Sequence, residues 1–196
     1  MAMTTVGADT FERTMEKANI QPLWDRYDKL LPPEPTAPDR ATLWRYADLQ
    51  PMIDRAARDI SMANSERRVL MLVNPAFEGK PFTTTNLFAG IQILEPGERA
   101  RLHRHTPSAM RLILEGRGAA TVVDGQYCDM LPGDLILTPN WCWHEHLNES
   151  DRRCVWLDAL DMPLAANLGV LFSEHGQPAS NRNNLWGIDD AAFATA

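Results

Sequence analysis

The chain has 196 residues, 44% hydrophobic and 23% charged, the profile of a soluble globular domain rather than a disordered, fibrous or membrane chain. Nineteen Lys and Arg against 26 Asp and Glu give a formal charge of -7, and no basic run or stripe could follow a phosphate backbone, which argues against nucleic acid as a partner. The longest apolar runs, residues 69–73 and 135–137, fall far short of the roughly 20 residues of a membrane helix, and the N-terminus lacks a charged-then-apolar signal pattern; a cytoplasmic protein with no membrane partner is expected.

Between residues 10 and 31 apolar side chains recur at three- and four-residue steps and are interrupted by Pro22, which predicts two short helices. The proline-rich stretch 32–38 reads as a stiff linker, because proline removes amide donors and favours extended geometry before it. Leu49, Met52, Ile53, Ala56, Ala57 and Ile60 predict a third, amphipathic helix with Pro51 tolerated in its first turn. After residue 67 the pattern changes to short β-rich segments at 68–74, 83–94, 100–105, 111–123, 135–138, 143–148 and 153–160. Turn signals punctuate them at 95–98, 115–118, 124–125 and 132–134. Many strands without alternating helices predict an antiparallel sandwich or barrel. From Met162 onward, Gly169, Gly176, Pro178 and the polar run 180–184 predict irregular chain.

The three cysteines, Cys128, Cys142 and Cys154, form no CxxC pair and fit a reducing compartment. Cys142 lies two residues before a histidine, but a buried free thiol is the commoner case than a nucleophile. Four of the five histidines fall in two pairs, His103-Arg-His105 and His144-Glu-His146. Strand side chains alternate, so each pair aims two imidazoles at one face, and facing strands can bring the pairs together as a site for iron, zinc, copper or nickel. Taken singly, each histidine would more often be a surface or hydrogen-bonded core residue.

Gly97 followed after five residues by His103-Arg-His105, with Gly116, resembles the first motif of the cupin superfamily. Gly133 followed after five residues by Pro139, with His144 and Asn148, resembles the second. Two positions depart from the pattern: Ala109 stands where many cupins carry a glutamate ligand, and Trp141 replaces a common glycine. The segments at 87–92, 103–111, 137–148 and 156–161 are most similar to gentisate 1,2-dioxygenases and their salicylate and 1-hydroxy-2-naphthoate relatives.

The resemblance implies a double-stranded β-helix, a jelly-roll barrel at 67–165, preceded by a helical extension and linker at 1–66 and followed by a partly irregular tail at 166–196. It implies iron(II) held by His103, His105 and His144, and cleavage by O2 of a hydroxylated aromatic carboxylate, gentisate giving maleylpyruvate. Arg111 is then the carboxylate anchor, with Gln92, His146 and Arg67 also facing the substrate; Arg68 could take the place of Arg67. Phe88 stands where relatives often carry tryptophan, Gly90 leaves room beside Gln92, and Trp156 and Asp158 match a family segment. A fourth-ligand role competes for His146, and a buried Asp158 could fix the tautomer of a metal-bound imidazole. Dioxygenases of this kind are usually bicupins of about twice this length. The chain is then either a natural short form or a fragment, and its exposed apolar surface is expected to be covered by homo-oligomerisation or by the tail. A non-catalytic metal- or ligand-binding cupin, and a cupin isomerase or thiol dioxygenase, are the competing readings.

Overall fold

A computed structural model describes residues 6–36 and 38–176. The chain divides into two compact units, residues 1–37 and 38–196. The first contains α1 (Val6–Lys17) and α2 (Tyr27–Leu30), the two short helices separated by Pro22 that the periodicity predicts. Phe11, Ile20, Trp24 and Leu30 are exposed in this unit and border an open groove.

Among the described residues, the second unit holds α3 (Tyr46–Asp59), ten strands and α4 (Met162–Asn167). The strands are β1 (Val69–Met71), β2 (Phe88–Leu94), β3 (Arg99–His105), β4 (Ala109–Glu115), β5 (Ala119–Val123), β6 (Gln126–Met130), β7 (Leu135–Thr138), β8 (His144–Asn148), β9 (Cys154–Leu160) and β10 (Ser173–His175). They form two antiparallel five-stranded sheets, β1-β2-β9-β4-β7 and β10-β3-β8-β5-β6. Consecutive strands β2 and β3, β3 and β4, and β4 and β5 lie in different sheets, the strand crossing of a jelly roll. The mainly β cupin barrel is as expected.

The expected segments at 68–74 and 83–94 are strands only at Val69–Met71 and Phe88–Leu94, and four further differences have a local cause. The expected strand at 111–123 is two strands, because Glu115-Gly-Arg-Gly118 carries it from one sheet to the other; a Cβ on Gly116, at φ 98°, would run into the Arg153 carbonyl and the Cys154 Cα. Strand β6, which the sequence reading did not assign, has one buried residue, Met130, and lacks a clean apolar-polar alternation. Pro51 sits in the second turn of α3, not the first. The amide it lacks leaves the carbonyl of the exposed Ala47 to solvent, which is tolerable on that face. Between Met162 and residue 176, where irregular chain is expected, α4 forms and, after an irregular stretch at 168–172, β10 pairs with β3. The expectations for residues 177–196 lie outside the described residues.

One end of the barrel is filled by Leu94, Ile113, Ala119, Met130, Ile136, Cys154 and Trp156, all buried. On the outer face of the first sheet α3 packs Leu49 and Ile53 against Ile91, Ile93 and Val155. Among the described residues, beyond α3 that face is uncovered: Met110 and Leu112 of β4 and their partners Leu137 and Leu135 of β7 are exposed, while the alternate residues Arg111, Ile136 and Thr138 are buried. Apolar Met110 and Leu112 out with charged Arg111 in is the reverse of ordinary strand patterning, and it marks this part of the barrel interior as a polar site.

Ile53 is 1% exposed in the α3 cluster. Truncation to alanine is expected to destabilise this unit by about 2–4 kcal/mol, through lost apolar transfer and the cavity left behind; denaturant unfolding of the two proteins measures it.

Candidate active site

His103 and His144 are direct cross-strand partners on β3 and β8, and Ala100 pairs with His146. Three steps on β3 therefore match two on β8, and this bulge lets Ala100 and His103 both point inward although they are an odd number apart. His103, His144 and His146 are buried and His105 is half-buried. One ring nitrogen from each of His103, His105 and His144 lies within 4.8 Å of the others.

Each of these three rings is oriented by a main-chain carbonyl. His103 Nδ1 lies 2.9 Å from the Arg101 oxygen, His105 Nδ1 2.7 Å from the Pro107 oxygen and His144 Nδ1 3.0 Å from the Cys142 oxygen. A carbonyl can only accept, so each Nδ1 donates, and the lone pair of each ring is left on Nε2. His144 Nε2 is buried and has no hydrogen-bond partner. Three neutral imidazoles with free lone pairs, one of them orphaned, fit a divalent metal of the iron, nickel, copper or zinc type. Burial keeps them neutral: it pushes His103 down to about 3, with Arg67 adding repulsion, and holds His105 below and His144 well below the ordinary range.

His146 stands apart from the three. Its ring is 5.8 Å from that of His144 and 6.5 Å from that of His103. Its Nδ1 lies 2.9 Å from the Thr121 hydroxyl, which also reaches Met130 Sδ at 3.5 Å. Burial and Arg111 hold it well below the ordinary histidine range.

The facing sheet contributes the other groups. Gly90, Asp158, Arg111 and Ile136 form one cross-strand row over β2, β9, β4 and β7, and Gln92, Trp156 and Ile113 form the next. Arg111 is 2% exposed; its Nη1 donates to the Thr138 hydroxyl, and its Nε faces Asp158 Oδ1 at 3.1 Å without hydrogen-bond alignment. Asp158 Oδ2 accepts the Trp156 indole N–H at 3.0 Å. Burial raises the Asp158 carboxyl above its ordinary range, against the opposing pull of Arg111. Gln92 Nε2 is buried without a partner.

A cavity of about 530 Å³ joins these groups. Arg67, Phe88, Gln92, His103, His105, Arg111, His146 and Asp158 line it, so eight of the residues singled out in the sequence meet at one space. Three others do not line it. His144 lies behind His103, Trp156 is fully buried in the core, and a Cβ on Gly90 would meet Val69 Cγ1 at 2.6 Å and Phe88 Cζ at 3.3 Å. The glycine thus lets β1 and Phe88 close together, where the sequence reading had it leaving room beside Gln92.

Arg67 faces the cavity, whereas Arg68 turns away. Arg68 is 3% exposed and makes a bidentate pair with Glu98, at 2.9 and 2.7 Å, and a bond to the Ile60 carbonyl. Arg111 reaches the site from the sheet opposite His105, because β3 ends before Pro107 and the chain crosses to β4. Asp158 supports Arg111; the tautomers of the three clustered histidines are set by carbonyls. Cys142 is buried and its thiol is pushed up to about 12 by burial and Asp124, which removes it as a nucleophile. Leu160, Met162, Leu171, Phe172, Ser173 and His175 also line the cavity and were not foreseen. Strand parity from Asp158 could have given Leu160; nothing local marks the segment after Met162 as a wall.

The buried His103, His144 and His146, with the half-buried His105, make stability pH-dependent. Their folded-state values lie below the unfolded value of 6.5, so on acidification the unfolded chain takes up protons that the folded one does not. Chelator-treated protein is expected to hold its full stability above pH 6.5 and to lose about 1.4 kcal/mol per pH unit for each of His103, His144 and His146 between about pH 6.5 and 5, with a smaller share from His105. Denaturant midpoints across that range test it; a flat profile would contradict burial of the neutral rings.

The cupin domain family matches residues 90–160. Gentisate 1,2-dioxygenase of a Ralstonia species is 45% identical over 165 residues, 83% of this chain and 46% of that protein. 5-Nitrosalicylic acid 1,2-dioxygenase of a Bradyrhizobium species is 32% identical over 146 residues, 72% of this chain and 70% of that protein. Salicylate 1,2-dioxygenase from Pseudoaminobacter salicylatoxidans, solved with gentisate, superposes with a TM-score of 0.84 at 34% identity, covering 90% of this chain and 49% of that one. The chain spans about half the length of the gentisate dioxygenases it matches. No helix among the described residues is long and apolar enough to cross a membrane. With its barrel, its three-histidine cluster and these relatives, the chain belongs to the gentisate and salicylate 1,2-dioxygenase family of cupins.

Proposed function

We propose that this chain is an iron(II)-dependent ring-cleaving dioxygenase domain whose substrate is an aromatic carboxylate with a hydroxyl group ortho to the carboxylate. The observation that carries the reading is Arg111, a buried cation on the same cavity as His103 and His105, two of the three imidazoles clustered for a metal. A buried guanidinium is costly unless matched, and its Asp158 partner is not aligned to satisfy it. An incoming carboxylate completes it. The named substrates of the relatives, gentisate, 5-aminosalicylate, 1-hydroxy-2-naphthoate and 5-nitrosalicylic acid, share the ortho-hydroxy carboxylate and differ elsewhere on the ring.

His103, His105 and His144 would hold the iron, which would supply Lewis acidity and redox coupling of the bound ring to O2. Arg111 fixes the carboxylate, with Arg67 adding positive charge. Gln92 supplies a buried N–H donor. The neutral His146 offers Nε2 to the ring hydroxyl; its depressed basicity suits an orienting partner better than a proton store. The Thr121 hydroxyl can donate to His146 or to Met130, so His146 can present Nε2 as donor or acceptor. Phe88 and Phe172 supply apolar walls for the ring. The bare face of Met110, Leu112, Leu135 and Leu137 supports association of copies, which sedimentation would read. A cytoplasmic location accords with the unpaired cysteines.

His103→Ala is expected to lose bound metal and turnover together. Arg111→Ala is expected to keep the metal and bind the carboxylated ring about 100-fold more weakly, the loss of a desolvated charge-assisted pair. Metal analysis with ligand titration on the same samples separates the two. Oxygen uptake by iron(II)-loaded protein, given gentisate, salicylate and 1-hydroxy-2-naphthoate in turn, tests the reaction itself. Stoichiometric iron without uptake on any of them would leave a non-catalytic cupin.

A further inference from the structure

Resting on that reading of the cavity, we propose that Arg104 is a positioning residue for the substrate: it pins the segment 171–176 onto β3 so that this strap forms one wall of the cavity. Ser173 pairs with His105, Glu174 with Arg104 and His175 with His103, so the strap runs along the strand that carries two of the clustered histidines. Alternation turns Ser173 and His175 toward the cavity and Glu174 away from it, beside Arg104.

A three-residue edge strand has few ladder bonds and would open readily on its own. Thr106 bonds the Val170 and Phe172 carbonyls, His175 Nδ1 lies 2.9 Å from Glu66 Oε1, and Arg104 adds the contacts at the middle of the strap. Its Nε and Nη2 both bond Glu174 Oε2, at 2.9 and 2.7 Å, and its guanidinium carbon lies 4.3 Å from the Trp141 ring and 4.6 Å from the Trp143 ring. Trp141 in turn meets Phe172 edge to face, with ring centroids 4.8 Å apart. Gly176 closes the strap against Trp143, where a Cβ would come within 2.6 Å of the indole.

Trp141 has φ 63°, in the left-handed region where glycine is free and a tryptophan is strained. The chain carries an indole at that position of the turn, and the indole bridges Arg104 and Phe172. Strain held against the easier residue is the mark of a fixed functional geometry.

Arg104→Ala leaves the three clustered histidines and Arg111 in place, while the fraction of molecules with the wall closed falls. If that fraction drops to about a tenth, the apparent dissociation constant for gentisate or salicylate rises about tenfold. KM rises with it while kcat changes little. A merely structural role would instead lower the amount of active protein and its apparent kcat, and leave KM unmoved. Glu174→Gln, at a half-exposed position, is expected to show the same direction without endangering the fold, and Arg104→Lys, which keeps charge but loses the planar stack, to fall between. Hydrogen exchange reads the strap without ligand: the Phe172 amide, bonded to Thr106 Oγ1, and the Gly176 amide, bonded to the Leu102 carbonyl, should exchange faster in both variants, with β5 and β8 unchanged.

The experiment is ligand titration of metal-loaded wild type, Arg104→Ala and Glu174→Gln, with exchange on the same proteins. Weaker binding with faster strap exchange supports the proposal. Wild-type affinity in both variants, whether or not exchange quickens, overturns it while leaving the proposed function intact. Wild-type protein that binds neither gentisate nor salicylate overturns the substrate reading itself, and this role with it.

Discussion

Three hydrogen bonds from histidine Nδ1 to main-chain carbonyls underlie the chemistry of this barrel. Each carbonyl lies two residues from the ring it holds, so the strand and turn geometry of β3, β8 and their flanks sets the tautomer directly. Because Nδ1 is committed, the lone pair of each ring faces the others, and the rings must be neutral to share so small a space. The desolvation that keeps them neutral also leaves His144 Nε2 without a partner. A metal would satisfy that atom; without one, the interior carries an unsatisfied acceptor that costs stability.

The same interior holds Arg111, Gln92 and Asp158, none of which would be chosen for a stable core. The Trp156 indole bonds Asp158 and Asp158 faces Arg111, so the guanidinium is oriented without being fully satisfied. Stability comes instead from the opposite end of the barrel and from α3, where buried apolar side chains cluster. This separation allows one sheet to present an electropositive, incompletely bonded surface to a ligand while the fold rests on packing elsewhere.

The wall of the cavity has a different origin from its floor. The floor is built from central strands that exchange bonds on both sides, whereas β10 is a short edge strand held by a surface ion pair and two indoles. The first is rigid by topology and the second by side-chain contacts, so chemistry and substrate fit rest on separable parts of the molecule.

The paired histidines could be read from the chain because a strand repeats every two residues: His103 with His105, and His144 with His146, had to share a face once strands were assigned. The turn glycines were equally legible, Gly97 and Gly116 both adopting positive φ. Local spacing could not say that His146 stands away from the other three, since that depends on a β3 bulge and on Thr121 in the neighbouring strand. Nor could it choose Arg67 over Arg68, which point opposite ways and differ by the Glu98 partner thirty residues on. The route of Arg111 into the site, from the facing sheet, and the closure of the cavity by residues after Met162 were likewise set by the tertiary structure. By itself the sequence determined which side chains share a strand face, a property of backbone period. Which faces meet, and which charges find partners, was decided by pairings between strands far apart in the chain, and no local period encodes those.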